Sequence, residues 1–235
     1  MTQDELTEEP AAPETPARPR RRWAWRVLMA LGLVMILVGL AILGWLGWQI
    51  WGTNWESARK QDEVTQNLER AWQDGEDTAT TDFGDASAIL RVPRFGDDFA
   101  VPVLEGSTDE VLAAGIGHVE GTGEAGRAGN YVLAAHRVTH GQPFADFPEL
   151  RDGDRVIVQT RKATFTYELD LGGTDLILPF TDTWVLDPYP DNPGDGPTPT
   201  ADSRRLITLI TCSELFHTDN RSIVFGHLVD RTPAG

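Results

Sequence analysis

The sequence predicts an all-β domain, a closed barrel of about eight short strands with little helix, preceded by one N-terminal transmembrane helix. Three observations carry this. The run Val27–Ile50 is 24 residues without a charge and with one polar residue, Gln49. From Ala88 onward, short β-branched and aromatic runs alternate with turn residues. One cysteine, Cys212, in 235 residues excludes a disulfide framework within the chain, so the fold must rest on its core.

The membrane helix is argued from length and flanks. At about 1.5 Å per residue the run reaches roughly 36 Å, enough for a bilayer core of about 30 Å. Trp23 and Trp25 lie at one end, and Trp45, Trp48 and Trp51 at the other, as interfacial belts. Arg18, Arg20, Arg21 and Arg22 precede it, which places the N-terminus in the cytoplasm and the rest outside. The run is too long for a signal peptide and no A-x-A-like site follows. Residues 1–22 are expected to be a disordered cytoplasmic tail, rich in Pro, Glu, Ala and Thr. Residues 23–51 form the anchor.

The formal net charge is −16. Five acids and five arginines cancel in residues 1–51, so residues 52–235 carry all of it. Such a surface repels nucleic acid, which is excluded as a partner. Residues 52–87 are expected to be an extracellular stalk and linker: a charged helix over 54–73 with a weak apolar stripe, then an acidic, Gly- and Thr-containing stretch.

Residues 88–235 form the expected catalytic domain. Ile89–Val92 and Ala100–Val103 pair first, with Pro93 and Pro102 marking strand ends or edges. Thr108 caps a short helix through Ala114. Residues 115–119 are a glycine-rich crossing and 121–126 a loop. Asn130–Ala135 is a strand that ends at His136. Arg155–Gln159 and Ala163–Leu169 form a hairpin, the second alternating with period two. Thr174–Phe180 and Thr183–Leu186 are expected as strands, and 187–200 as a long surface loop. Leu206–Cys212 is a buried strand, 213–220 a loop, and Arg221–Val229 the last strand.

Three chemistry-bearing residues hold equivalent places. His136 and Cys212 each follow a strand, and Arg221 opens one. A thiol attacks only as thiolate and needs a basic neighbour, usually His. A nearby arginine can hold a developing oxyanion. Arg137, Arg204 and Arg205 are rival arginines. Glu124, Asp146 and Asp219 are open candidates to orient the histidine. His118 is a candidate to line the cleft. His140 and His217 read as solvated loop residues, and His227 as structural. One Cys and scattered His match no zinc spacing, so no metal and no other cofactor is expected.

Thr208-Leu-Ile-Thr-Cys212 resembles the TLxTC signature of sortases, the cysteine transpeptidases of Gram-positive cell surfaces. Residues 129–137 resemble the strand carrying the family's histidine, and Arg221–Gly226 its arginine strand. The order His, Cys, Arg and the nine-residue gap from Cys212 to Arg221 agree. The Asn130-Tyr131 pair is similar to class E, the actinobacterial type; Ala135 stands where many members have glycine. The resemblance implies an eight-stranded barrel with Cys212, His136 and Arg221 catalytic. It also implies substrate contacts from Thr211, Tyr131 and Thr208, with strand packing an equal reading for Thr208. The implied partners are surface proteins with a C-terminal LAxTG or LPxTG sorting motif, and a peptidoglycan-precursor amine as acceptor. The rival function is a non-catalytic membrane-anchored module that binds a wall component. An L,D-transpeptidase is disfavoured, because its His and Cys lie two apart and here they are 76 apart.

Overall fold

The computed structural model describes residues 20–48, 53–138, 140–200, 203–213 and 219–234. Residues 1–19 of the expected N-terminal tail, Trp51 and residues 214–218 with His217 lie outside the described residues, while residues 20–22, expected in the tail, are the first turn of a helix. The chain divides into two units, Met1–Leu46 and Gly47–Gly235. The first contains helix α1, Arg20–Gly47. Its segment Trp23–Gly47 is long and apolar enough to cross a membrane, and its large side chains are exposed.

The second unit is the barrel. Its strands are β1 (Ala79–Thr81), β2 (Gly84–Arg91), β3 (Val101–Glu105), β4 (Ile116–His118), β5 (Gly129–Ala134), β6 (Arg155–Gln159), β7 (Ala163–Leu169), β8 (Ile177–Pro179), β9 (Arg205–Cys212) and β10 (Asn220–Pro233). Eight of them close a ring in the order β2-β3-β4-β5-β9-β10-β7-β6, with β6 returning to β2 through Ile89↔Gln159, Leu90↔Val158 and Arg91↔Ile157. β1 hangs on β2 and β8 on β10. This is the expected eight-stranded barrel. Within it, β3–β4 and β5–β9 are parallel and the other ring pairs antiparallel.

Alternation fills the barrel. β7 alternates strictly between buried and half-buried residues, and its Ala163, Phe165, Tyr167 and Leu169 point into the main core. Pro102 lies within β3, not at an end. Its missing N–H costs nothing there, because it pairs with Ile89 on one side and pairing with β4 begins only at Val103.

Residues 52–87 differ from the stalk and linker expected. Helix α2, Thr53–Gln73, lies on the barrel wall. Its Val64, Leu68 and Ala71 are buried against Ala79, Ala86, Ile89, Leu104, Val111 and Ala114. The stretch expected as linker contains β1 and the start of β2. Its pairing Ala79↔Ala86 buries two small residues under α2. Polar neighbours hid that strand signal. The barrel unit therefore begins well before Ala88.

Helix α3, Asp109–Ala114, forms where expected: Thr108 Oγ1 accepts from the Val111 N–H. Thr183–Leu186 is a short 3₁₀ turn instead of a strand, and only Ile177–Pro179 of 174–180 pairs. A side chain holds that turn where a ladder was expected. Buried Asn130 donates from Nδ2 to the carbonyls of Val185 (2.9 Å) and Asp187 (3.1 Å).

Candidate active site

Three neighbouring strands bring the site together. β5 and β9 run parallel with Ala134 beside Ile210. Continuing that register by two residues sets His136 beside Cys212. Two bonds pin the junction: the Ala135 N–H donates to the Ile210 carbonyl (3.2 Å), and Thr211 Oγ1 donates to the Ala135 carbonyl (2.8 Å). On the other side β10 runs antiparallel to β9, and Arg221 is the direct partner of Cys212. Adjacent strands lie about 4.8 Å apart, so the three residues are neighbours at one pole of the barrel.

The thiol of Cys212 is half-buried, both held and reachable. The His136 imidazole is pushed below the ordinary histidine value, first by burial and then by the nearby His140, with Asp109 opposing. Its Nε2 is buried and has no hydrogen-bond partner among the described residues. A buried, unspent ring nitrogen beside a thiol is what a proton carrier needs. Arg221 Nη1 donates to the Asn220 carbonyl at 3.0 Å, which holds the guanidinium close to its own strand. Among the described residues, no three His, Cys, Asp or Glu side chains come together to hold a metal ion.

The family model described as Sortase domain matches residues 90–229. That match covers most of the barrel and all three residues. The chain belongs to the sortase family. It is 34% identical to Sortase SrtE1 of Streptomyces coelicolor over 216 residues, which are 87% of this chain and 58% of that protein. It thus spans less than two thirds of that relative's length. Among solved structures, sortase E from Streptomyces avermitilis is 39% identical with a TM-score of 0.53, over 62% of this chain and 89% of that one. Sortase E1 from Streptomyces coelicolor, solved with a tripeptide in the active site, is 33% identical with a TM-score of 0.51, over 66% and 94%. The likeness is to class E sortases.

Within this sortase barrel the other expected residues separate. Thr211 is buried beside Cys212 with its hydroxyl committed to Ala135. Thr208 is fully buried, and its Oγ1 donates to Asn130 Oδ1 at 2.7 Å. Because Asn130 also holds residues 185–187, Thr208 braces that loop from inside and has no surface to offer a substrate. Tyr131 lies five residues before His136, about 16 Å along the strand. It lines a cavity of about 630 Å³ at the opposite pole, with Phe165, Arg205 and Arg231. That cavity is therefore away from the thiol. His118 lines it too, locked between Glu105 (2.7 Å) and the Gly123 carbonyl (2.9 Å). His227 bonds Asp170 at 2.7 Å, a structural pair. Glu124 also sits at the far cavity, beside Arg127.

Two residues at the site take unexpected roles. Arg137 Nη1 donates to the Cys212 carbonyl (3.5 Å) and to the Ser213 carbonyl, so it fixes the chain just past the thiol. His140, expected in solvent, is half-buried with its ring centroid 5.0 Å from that of His136. The carboxylate whose charge favours a protonated His136 is that of Asp109 on α3. Its sequence signal, a helix-capping position, gave no hint of the catalytic pole.

Proposed function

We propose that this chain is a membrane-anchored cysteine transpeptidase that cuts a C-terminal sorting motif between Thr and Gly, with LAxTG preferred and LPxTG accepted. The observation that carries it is the set of three strand ends, β5, β9 and β10, that gathers His136, Cys212 and Arg221. The Cys212 thiolate attacks the threonine carbonyl carbon, and the carbonyl π electrons move to oxygen. Arg221 stabilises that oxyanion. The carbonyl re-forms, the C–N bond to glycine breaks, and protonated His136 gives its proton to the departing amine. A thioester on Cys212 remains. An incoming amine, on a peptidoglycan precursor, attacks it and loses a proton to His136. The C–S bond then breaks and the thiolate returns. α1 anchors the enzyme with its N-terminus inside and the barrel outside.

The test is a fluorogenic LAxTG peptide with the full-length protein. Cleavage is expected, with a thioester adduct on Cys212 by mass spectrometry in the absence of an amine. Cys212→Ala is expected to abolish both. Cleavage that persists in Cys212→Ala would overturn the mechanism, and an uncut peptide would overturn the motif.

A further inference from the structure

The loop after His136 has an unusual backbone. His140, Gly141 and Gln142 all have positive φ, at 56°, 79° and 48°. Two of these are not glycine, and such residues keep that conformation only where their surroundings impose it. Part of the constraint is internal: the Phe144 N–H donates to the His136 carbonyl at 3.1 Å, and Phe144 is fully buried in the barrel. The rest comes from α2. Asn54 Oδ1 accepts from the Gly141 N–H at 3.0 Å. Ser57 is buried, and a Cβ built on Gly141 would lie 2.6 Å from Gln61 Nε2 and 3.1 Å from Ser57 Cβ. Asn54, Ser57 and Gln61 share one face of the helix, and the loop presses on it. The His140 ring, so held, tilts 32° against that of His136.

We propose that His140 is a positioning residue for His136, held in place by the Asn54–Ser57–Gln61 face of α2. This rests on His136 being the proton carrier of the proposed reaction. α2 starts at Thr53, so the segment directly after the membrane span is part of the catalytic support. The stacked ring limits where the His136 imidazole can swing. It also acts through charge, because a protonated His140 opposes a proton on His136. The charged and titratable groups around the pair are Glu56 and Lys60 on α2, Asp109 and Glu110 on α3, Arg137 in the loop, and Cys212 and Arg221 on β9 and β10. Glu56, Lys60, Asp109, Glu110 and His140 line a cavity of about 210 Å³ beside the loop.

The experiment uses the full-length protein in detergent, with the pH profile of kcat/KM on the LAxTG peptide and the His136 titration by NMR. In His140→Gln the His136 midpoint is expected to move up, and the acid limb of kcat/KM with it. The loss of position lowers kcat on the order of tenfold, with KM within about twofold. His140→Phe keeps a stacked ring without a charge. It is expected to restore most of kcat while keeping the raised midpoint. Asn54→Ala is expected to lower kcat in the same direction, with no more than the small drop in melting temperature that one lost hydrogen bond brings. An unmoved His136 titration together with unchanged kcat in His140→Gln and Asn54→Ala would overturn the proposal. If His136→Ala keeps full turnover, the proposed function falls. If it is inactive while the His140 variants behave as wild type, only the present inference falls.

Discussion

Cys212 and Arg221 face each other across one rung of the β9–β10 ladder, and Arg137 grips the carbonyls at and after Cys212. Two arginines therefore approach the thiol, in different roles. Arg221→Ala is expected to lower kcat/KM by about 10²–10³-fold while the melting temperature stays put. Arg137→Ala is expected to lower the melting temperature, because it strips partners worth about 1 kcal/mol from the strand exit. Equal losses of turnover in two variants that both melt like wild type would mean that both arginines serve the oxyanion. His136 also sets a pH effect on stability. Its folded-state proton affinity is lowered by burial first. The unfolded chain therefore binds the proton more readily, and acid favours unfolding. The contribution is present in full above the free imidazole value of about 6.5 and is lost as the pH falls through the lower folded one. Urea midpoints at two pH values either side should show a smaller acid loss in His136→Asn than in wild type. An identical loss would mean that other groups carry it. His136, Cys212 and Arg221 were legible as a set because each sits where an apolar run begins or ends. His140 and Asp109 were not, since their link to His136 runs through a loop and a helix far from it in sequence.

At the scale of elements, α2 marks the limit of what periodicity reveals. Its stripe was visible, but the excess of polar over apolar residues along it made it read as a solvated stalk. Burial is set by what covers the helix, and the cover is assembled from several elements: Ala79 of β1, Ala86 and Ile89 of β2, Leu104 of β3, and Val111 and Ala114 of α3. Likewise, Thr183–Leu186 has strand-like composition, yet its Val185 carbonyl bonds the side chain of Asn130 and its Trp184 carbonyl bonds the Asp187 N–H. The strands of strict alternation, β6 and β7, were read to the residue. Leu68 is fully buried between α2 and the barrel wall. Leu68→Ala is expected to cost about 2–5 kcal/mol, read as a lower chemical-denaturation midpoint of the whole barrel. A midpoint equal to that of wild type would show α2 to be an independent attachment.

For the whole molecule, closure matters most. Among the described residues, the ring leaves β1 and β8, each three residues long, as its only appended strands. Short edges offer little template for pairing with another chain. The same closure fixes the two poles: strand ends with the thiol at one, and the cavity lined by Tyr131 and Arg205 at the other. The barrel class was legible from strand count and turn spacing. Which pole each side chain faces was not, because register and parallel pairing of β5 with β9 are decided between segments 76 residues apart.

That parallel pair also dictates a timetable. A chain is made from its N-terminus, and β5 exists long before β9. Until residue 205 appears, β5 and β7 have no neighbour to fill the gap between them. β9 and β10 then enter as the final two staves, and they carry the thiol and its arginine with them. A nascent chain holds His136 early and gains Cys212 and Arg221 late. Cys212 thus arrives together with the strands that seal the barrel, so in the proposed reaction an unfinished chain lacks the assembled thiol, histidine and arginine.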